Sequence, residues 1–357
     1  MNRKHYFGAG PAALPQSVLK EFSEAVLDYQ QSGISILSIA HRGPAFKAIL
    51  EEANALVFQL AGLSSDEYEV MWFQGGGRLQ FSMVPMNFLS EGKHAGYIDS
   101  GHWAHAALEA ASLQGSVDVL ASSAKEDYTR IPDWPVIGND LSYLHVTTNN
   151  TIFGTQMPEI PACPVPLIAD MSSDIFSMPR NYSNCDLIYA VAQKNLGAAG
   201  VTIVIAKKKF LESANKNLPP VLSYIAQAKA GSMLNTPPVA AIYSCLLMLR
   251  WTASRGLSII ETENKQKAEL LYSGIDRSPL FISSVEKESR SRMNVVFRMK
   301  DPSQETAFLE YCSGKNIEGI KGHRSVGGFR VSLYNAVSLE DAAALLIAMQ
   351  QFEQIEN

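Results

Sequence analysis

Nowhere in this 357-residue chain is there an apolar run long enough to cross a bilayer. The richest stretches, 244–248 and 342–349, fall far short of the roughly 20 residues that a spanning helix needs. The start, Met1-Asn2-Arg3-Lys4-His5, is basic but leads into no apolar signal core, so no secretory leader is expected. An excess of one charge is also missing. Thirty basic against thirty-five acidic residues give −5, which offers no broad electrostatic footprint for nucleic acid. Cysteine is scarce: Cys163, Cys185, Cys245 and Cys312 are widely spaced and form no CxxC pair, which predicts reduced thiols in a cytoplasmic protein. What is abundant is apolar surface. At 46% apolar and 18% charged the chain can bury a large core, which excludes a disordered or fibrous protein, and its length suggests about two packing units.

The first two hundred residues alternate helix and strand signals. Val18, Phe22, Ala25 and Tyr29 mark one face of a helix after Pro15, and Phe46, Ile49, Leu50, Ala53, Val57 and Leu60 mark a second. Strands are predicted over 68–73, 97–98, 117–120, 143–146, 167–169, 187–191 and 201–206, with a helix from Leu79. Their nearly continuous hydrophobicity suggests strands covered on both faces, as in a mostly parallel sheet of an α/β protein. Past Pro237-Pro238 a long helix runs to Arg255 and is stopped by Gly256. A helix over 257–272, strands over 294–298 and 328–333 around a helix at 305–311, and a final helix opened by Ser338-Leu339-Glu340-Asp341 complete the pattern. The expected organisation is an N-terminal segment 1–15 near the site, a large domain 16–256 and a small domain 257–357. No internal repeat or low-complexity tract interrupts it.

Four groups of polar residues stand out. Gly75-Gly76-Gly77-Arg78 joins a strand to a helix, the arrangement in which backbone N–H groups hold a phosphate; it matches neither GxGxxG nor a Walker loop, and a flexible turn is the competing account. Asp170 and Lys194 end two successive apolar strands, so both would open onto one crevice. Lysine there suits a Schiff-base former better than packing, and the carboxylate suits a pyridinium partner; a solvent-directed lysine is the alternative. Trp103, after Ser100-Gly101-His102, is placed to stack on a flat ring. On the same helix His102, His105 and Glu109 fall at i, i+3 and i+7, so a metal site competes there with a solvated face. Finally, His41-Arg42 and His323-Arg324, with Lys321 and Arg330, offer cations for anion binding, with ordinary surface charge as the rival.

Taken together, the blocks resemble the phosphoserine aminotransferases, fold-type I pyridoxal-phosphate enzymes of the class-V aminotransferase group. The resemblance spans nearly the whole chain: Phe7-Gly8-Ala9-Gly10-Pro11, Ile39-Ala40-His41-Arg42, Gln74-Gly75-Gly76-Gly77-Arg78, Ser100-Gly101-His102-Trp103, Asn149-Asn150-Thr151, Ala169-Asp170-Met171-Ser172, Ala192-Gln193-Lys194-Asn195, Asn235-Thr236-Pro237-Pro238 and Lys321-Gly322-His323-Arg324. The order and number of these blocks, more than any one of them, make the match specific.

That likeness implies a large domain with a mostly parallel sheet between helices, a smaller C-terminal α/β domain, and pyridoxal 5'-phosphate as cofactor. It implies that Lys194 binds the cofactor covalently and shuttles the α-proton. By the same likeness Asp170 pairs with the ring nitrogen, Trp103 stacks on the ring, Thr151 lies near its phenolic oxygen, and Gly77, Arg78 and Gln193 contact chiefly its phosphate. Asn235 and Thr236 would reach the cofactor of a second subunit in a homodimer. Arg330 would take the α-carboxylate of either substrate; His41, Arg42, His323 and Arg324 would take the phosphate of phosphoserine or the distal carboxylate of glutamate. The resemblance implies ping-pong transfer between glutamate or 2-oxoglutarate and O-phosphoserine or 3-phosphohydroxypyruvate, with 4-phosphohydroxythreonine of pyridoxine synthesis as a further substrate left open.

Three positions depart from the family pattern. Gly197-Ala198-Ala199-Gly200 lacks the usual proline and predicts a slightly looser turn, Gly8 offers only backbone, and His102 precedes the stacking tryptophan. The rivals are an alanine- or serine-glyoxylate aminotransferase, whose substrates carry too little charge for two His-Arg pairs, and a non-enzymatic phosphate- or metal-binding protein. A cysteine desulfurase would need a mobile reactive thiol, whereas Cys312 sits in an apolar helix.

Overall fold

The computed structural model describes residues 4–89 and 91–356. Met1–Arg3 of the expected N-terminal segment and Asn357 of the expected small domain lie outside them. Alternating short apolar runs form seven strands of one sheet: β1 (Tyr68–Gln74), β2 (His94–Asp99), β3 (Ser116–Ser122), β4 (Leu144–Thr147), β5 (Leu167–Asp170), β6 (Leu187–Val191) and β7 (Val201–Lys207). Their order is β1-β7-β6-β5-β4-β2-β3. β7 pairs antiparallel with both β1 and β6, while every other pairing is parallel. Six strands therefore end at the same edge.

Both faces of this sheet are covered, which is why its strands lack polar alternation. On one face α1 (Gln16–Leu27), α2 (Pro44–Ala61) and α5 (Val239–Arg255) pack against Val70, Trp72, Ala169, Ile188 and Ile203. On the other, α3 (Gly77–Phe88), α4 (His102–Ser112) and the short helix Tyr224–Lys229 cover Met71, Phe73, Tyr97, Ile168 and Tyr189. Proline at the first position of α2 and a left-handed Gly62 after its end delimit that helix (φ 63°). Two expectations shift. Tyr29 lies beyond α1, in a short 3₁₀ turn, although it is still buried. The helix expected from Leu79 begins at Gly77, which puts Gly77 and Arg78 in its first turn.

Gly256 (φ 80°) separates α5 from α6 (Leu257–Arg277). Beyond it an antiparallel sheet β8-β9-β10 (Phe281–Ile282, Asn294–Met299, Phe329–Ser332) packs with α6, α7 (Glu305–Gly314) and α8 (Leu339–Glu356) around its own apolar cluster. Phe7 enters this cluster, because His5–Tyr6 pairs in parallel with Ile317–Glu318. The Ser338–Asp341 box forms: the Asp341 amide donates to Ser338 Oγ at 3.1 Å, and the Ser338 amide donates back to Asp341 Oδ2 at 3.0 Å. No helix among the described residues is long and apolar enough to cross a membrane.

One buried amine holds the corner after β10. Lys267 of α6 is 1% exposed and donates to the carbonyls of Leu333, Tyr334 and Val337 at 3.1, 3.2 and 2.8 Å. Burial pushes its pKa down to about 7, against an ordinary 10.5. Between those values the folded chain binds fewer protons than the unfolded chain, so this amine's contribution to stability rises with pH. In urea titrations at pH 7 and pH 10, wild type should gain on the order of a few kcal/mol relative to Lys267→Met. An unchanged difference between the two proteins would show that the amine stays charged in the fold.

Candidate active site

Because six strands end together, the segments that follow them meet at one edge of the sheet, the place where open α/β sheets take ligands. There a cavity of about 420 Å³ is lined from five strand ends. Gly76, Gly77, Arg78 and Phe81 come from the turn and helix after β1, and Trp103 from α4 after β2. Thr147 ends β4 and Asn149 follows it, Asp170 ends β5 before Ser172 and Ser173, and Val191 ends β6 before Gln193 and Lys194. Of the residues singled out in the sequence, Gly77, Arg78, Trp103, Asp170, Gln193 and Lys194 are thus brought together.

Lys194 Nζ donates to the buried Thr151 Oγ1 at 2.9 Å, which fixes the amine at the cavity. Asp170 is 5% exposed, and burial raises its carboxyl pKa. That rise is opposed by hydrogen bonds from Ser172, whose amide donates to Asp170 Oδ1 at 2.9 Å, and by the charge of Lys194. Trp103 is half-buried; the Arg78 guanidinium lies over its ring at 5.4 Å and Phe81 packs beside it at 6.4 Å. The glycine after the lysine is required by close approach: a Cβ on Gly197 (φ 151°) would sit 2.7 Å from Ser244 Oγ and 3.0 Å from the Cys245 amide. The turn that lacks a proline is tied instead by the Ala198 amide, which donates to Ser244 Oγ at 2.8 Å. At Gly8 a Cβ would meet the end of the exposed Tyr6 ring, so a larger residue there would displace that side chain.

The cationic residues lie elsewhere around the site. The His323 ring is 5.9 Å from the His102 ring, and Arg330, His102 and Arg324 all act with burial to lower its pKa. Arg330 on β10 is half-buried, and burial lowers its pKa too. Asn235 and Thr236 are exposed and do not line their own chain's cavity; Asn235 Nδ2 donates to Gln74 Oε1 at 2.7 Å, and the Thr236 carbonyl accepts from Gln74 Nε2. His41 and Arg42 sit on the turn before α2, also outside the residues lining the cavity. The metal reading of α4 is not carried. His102 turns towards Trp103 and His323, whereas His105 meets Asp99 and Glu109 at 3.5 and 3.7 Å. Among the described residues no group of three His, Cys, Asp or Glu is placed to hold a metal.

Sequence reading missed Thr147, Asn149, Ser172 and Ser173. The available signal was register: Thr147 is the cross-strand neighbour of Asp170. Thr147 Oγ1 and Gln193 Oε1 are buried in this wall without hydrogen-bond partners among the described residues. Orphaned polar atoms, a buried carboxylate raised by desolvation, an aromatic wall and the first turn of α3 without a side-chain cap suit a flat, phosphorylated, nitrogen-containing ring. The residues present therefore fit pyridoxal phosphate. If Thr147 Oγ1 is unsatisfied until such a group arrives, Thr147→Val should stabilise the ligand-free chain by about 1 kcal/mol in urea titrations and weaken retention of pyridoxal phosphate. A less stable variant would show that the hydroxyl already has a partner.

Comparison with known proteins agrees with this geometry. Residues 5–345 match the family model described as aminotransferase class-V. A phosphoserine aminotransferase of Flavobacterium psychrophilum is 45% identical over 352 residues, covering 98% of this chain and 99% of that protein. The structure of the phosphoserine aminotransferase from Bacillus circulans subsp. alkalophilus superposes with a TM-score of 0.97 at 41% identity, covering 100% of both chains. The pyridoxal-phosphate-bound phosphoserine aminotransferase of Trichomonas vaginalis superposes at 0.92 with 33% identity, covering 98% of this chain and 100% of that one.

Proposed function

The chain belongs to the class-V aminotransferase family, and from that premise we propose how its residues perform the transfer. It is a pyridoxal-phosphate-dependent aminotransferase of serine biosynthesis. It moves an amino group reversibly between glutamate and 3-phosphohydroxypyruvate, giving 2-oxoglutarate and O-phosphoserine. The observation that carries this reading is the juxtaposition of a buried carboxylate and a primary amine at adjacent strand ends, beneath an aromatic wall. The cations around them suit two substrates that each bring a second anion. An alanine- or serine-glyoxylate exchange would leave those cations without partners.

In this reading Gly77, Arg78 and Gln193 would hold the cofactor's phosphate, Trp103 would stack on its ring and Thr151 would hydrogen-bond it. Asp170 would keep the ring nitrogen protonated. When bound, the cofactor supplies an electron sink for the pair left on the substrate's α-carbon. Lys194, oriented by Thr151, takes the α-proton as general base and returns it as general acid. Arg330 grips the α-carboxylate, and His323 and Arg324 take the distal phosphate or carboxylate as forked or paired donors. His41, Arg42, Asn235 and Thr236, which do not line their own chain's cavity, would act from a second copy in a homodimer. Residues 257–357 would form the small domain carrying Arg330, apart from the large domain 16–256. All four cysteines are free, which suits a cytoplasmic setting, and the same anion clamp would admit 4-phosphohydroxythreonine of pyridoxine synthesis.

The test is spectroscopic. Adding phosphoserine alone to the cofactor-loaded protein should abolish its visible absorption and raise a near-ultraviolet band, and 2-oxoglutarate should reverse the change. Lys194→Ala should show neither change nor turnover, and a variant that transaminates at the wild-type rate would remove Lys194 from its role. The anion sites separate in a second measurement. Arg42→Ala and Arg324→Ala should each weaken phosphoserine binding about tenfold or more, while Arg78→Ala should chiefly weaken cofactor retention. Equal effects of all three on phosphoserine would merge the two anion sites.

A further inference from the structure

Behind the cavity, on the sheet face covered by α3 and α4, lies a polar pair that the mechanism above does not use. His145 on β4 is 1% exposed and Tyr189 on β6 is fully buried; the imidazole Nε2 and the phenol oxygen are 2.8 Å apart, bridging across β5. Tyr189 is the cross-strand neighbour of Asp170, and burial together with the charge of that carboxylate raises its phenol pKa. The His145 ring is stacked on Tyr97 at 5.0 Å and 24°, and its Nδ1 is buried without a partner among the described residues. A buried histidine with one ring nitrogen engaged and the other bare is a poor packing element, so its orientation calls for a physical account.

We propose that His145 and Tyr189 form a positioning relay for Asp170, in which His145 Nε2–H donates to the Tyr189 oxygen and the Tyr189 hydroxyl donates to the Asp170 carboxylate, keeping that carboxylate anionic at the cofactor's ring nitrogen. The direction follows from there being a single phenol proton. A hydrogen bond to an anionic oxygen is about twice as strong as one to a neutral imidazole, so the proton points to Asp170. The phenol oxygen then needs a donor, and only the Nε2–H tautomer supplies one. That tautomer leaves a lone pair, rather than a bare N–H, at the unpartnered Nδ1. Burial alone holds the imidazole neutral, with its pKa pushed down to about 3, and burial with the neighbouring carboxylate keeps the phenol protonated. Burial and Asp174 oppose the charge of Asp170, Ser172 and Lys194 favour it, and the relay adds the Tyr189 hydroxyl to the second group.

The relay rests on the cofactor assignment above, and its test separates the two. The readout is the ratio of affinities of the cofactor-free full-length protein for pyridoxal phosphate and for its 1-deaza analogue, whose ring has carbon in place of nitrogen. Wild type should strongly prefer pyridoxal phosphate. Tyr189→Phe and His145→Leu should each narrow that preference about tenfold, whereas His145→Gln, which keeps an N–H donor, should hold it near wild type. A merely structural role would lower both affinities together and leave the ratio unchanged. A wild-type ratio in Tyr189→Phe therefore overturns the relay while the cofactor assignment stands; wild type that binds neither compound overturns both. In the unmutated holoenzyme, ¹⁵N NMR of labelled histidine should find His145 protonated at Nε2, and a proton at Nδ1 would overturn the direction.

Discussion

A carboxylate kept nearly dry at the end of a central strand is the constraint on which this site depends. An ionised group in that position is expensive unless charges and hydrogen bonds are arranged around it. Asp170 receives the Ser172 amide and the charge of Lys194, and it borders a cavity suited to a cationic ring nitrogen. Such dryness is available only because β5 lies in the middle of a sheet with helices on both faces. A carboxylate on an edge strand would be hydrated, and its hold on a ring proton would be correspondingly weak.

The same demand explains why the rest of the molecule is tied so firmly to this edge. Asn149 Nδ2 donates to Asn294 Oδ1 on β9 at 2.8 Å, and the Asn335 amide donates to Asn195 Oδ1, next to Lys194, at 3.0 Å. The N-terminal segment adds two ties: the Ala12 amide donates to the Gln193 carbonyl at 2.9 Å, and Tyr334 Oη donates to the Ala9 carbonyl at 3.0 Å. Buried amide-to-amide contacts lose much of their strength when displaced by an ångström. They tie the small antiparallel sheet and the N-terminal segment to the stretch that carries Lys194. Arg324 to Gly327, by contrast, are exposed.

Local elements, and the chemistry at their ends, were legible in the order of the residues. Helix α5 runs from Val239 to Arg255 as its flanking prolines and Gly256 dictate, and the apolar runs ending at Asp170 and just before Lys194 read as strands because both their faces are buried. The glycine run, the lysine, the aspartate and the tryptophan were legible because each is an odd residue for its local setting. Which of them meet depended on how distant segments pair. The antiparallel course of β7 and the pairing of His5–Tyr6 with Ile317–Glu318 join segments that no local pattern links. Thr147, Asn149 and the His145–Tyr189 pair look like ordinary strand and turn residues until the order of β4, β5 and β6 sets them around Asp170. Hydrophobic periodicity records which face of a strand is buried, but sheet order is fixed by pairings between distant segments, and it is that order which turns separate strand ends into one site.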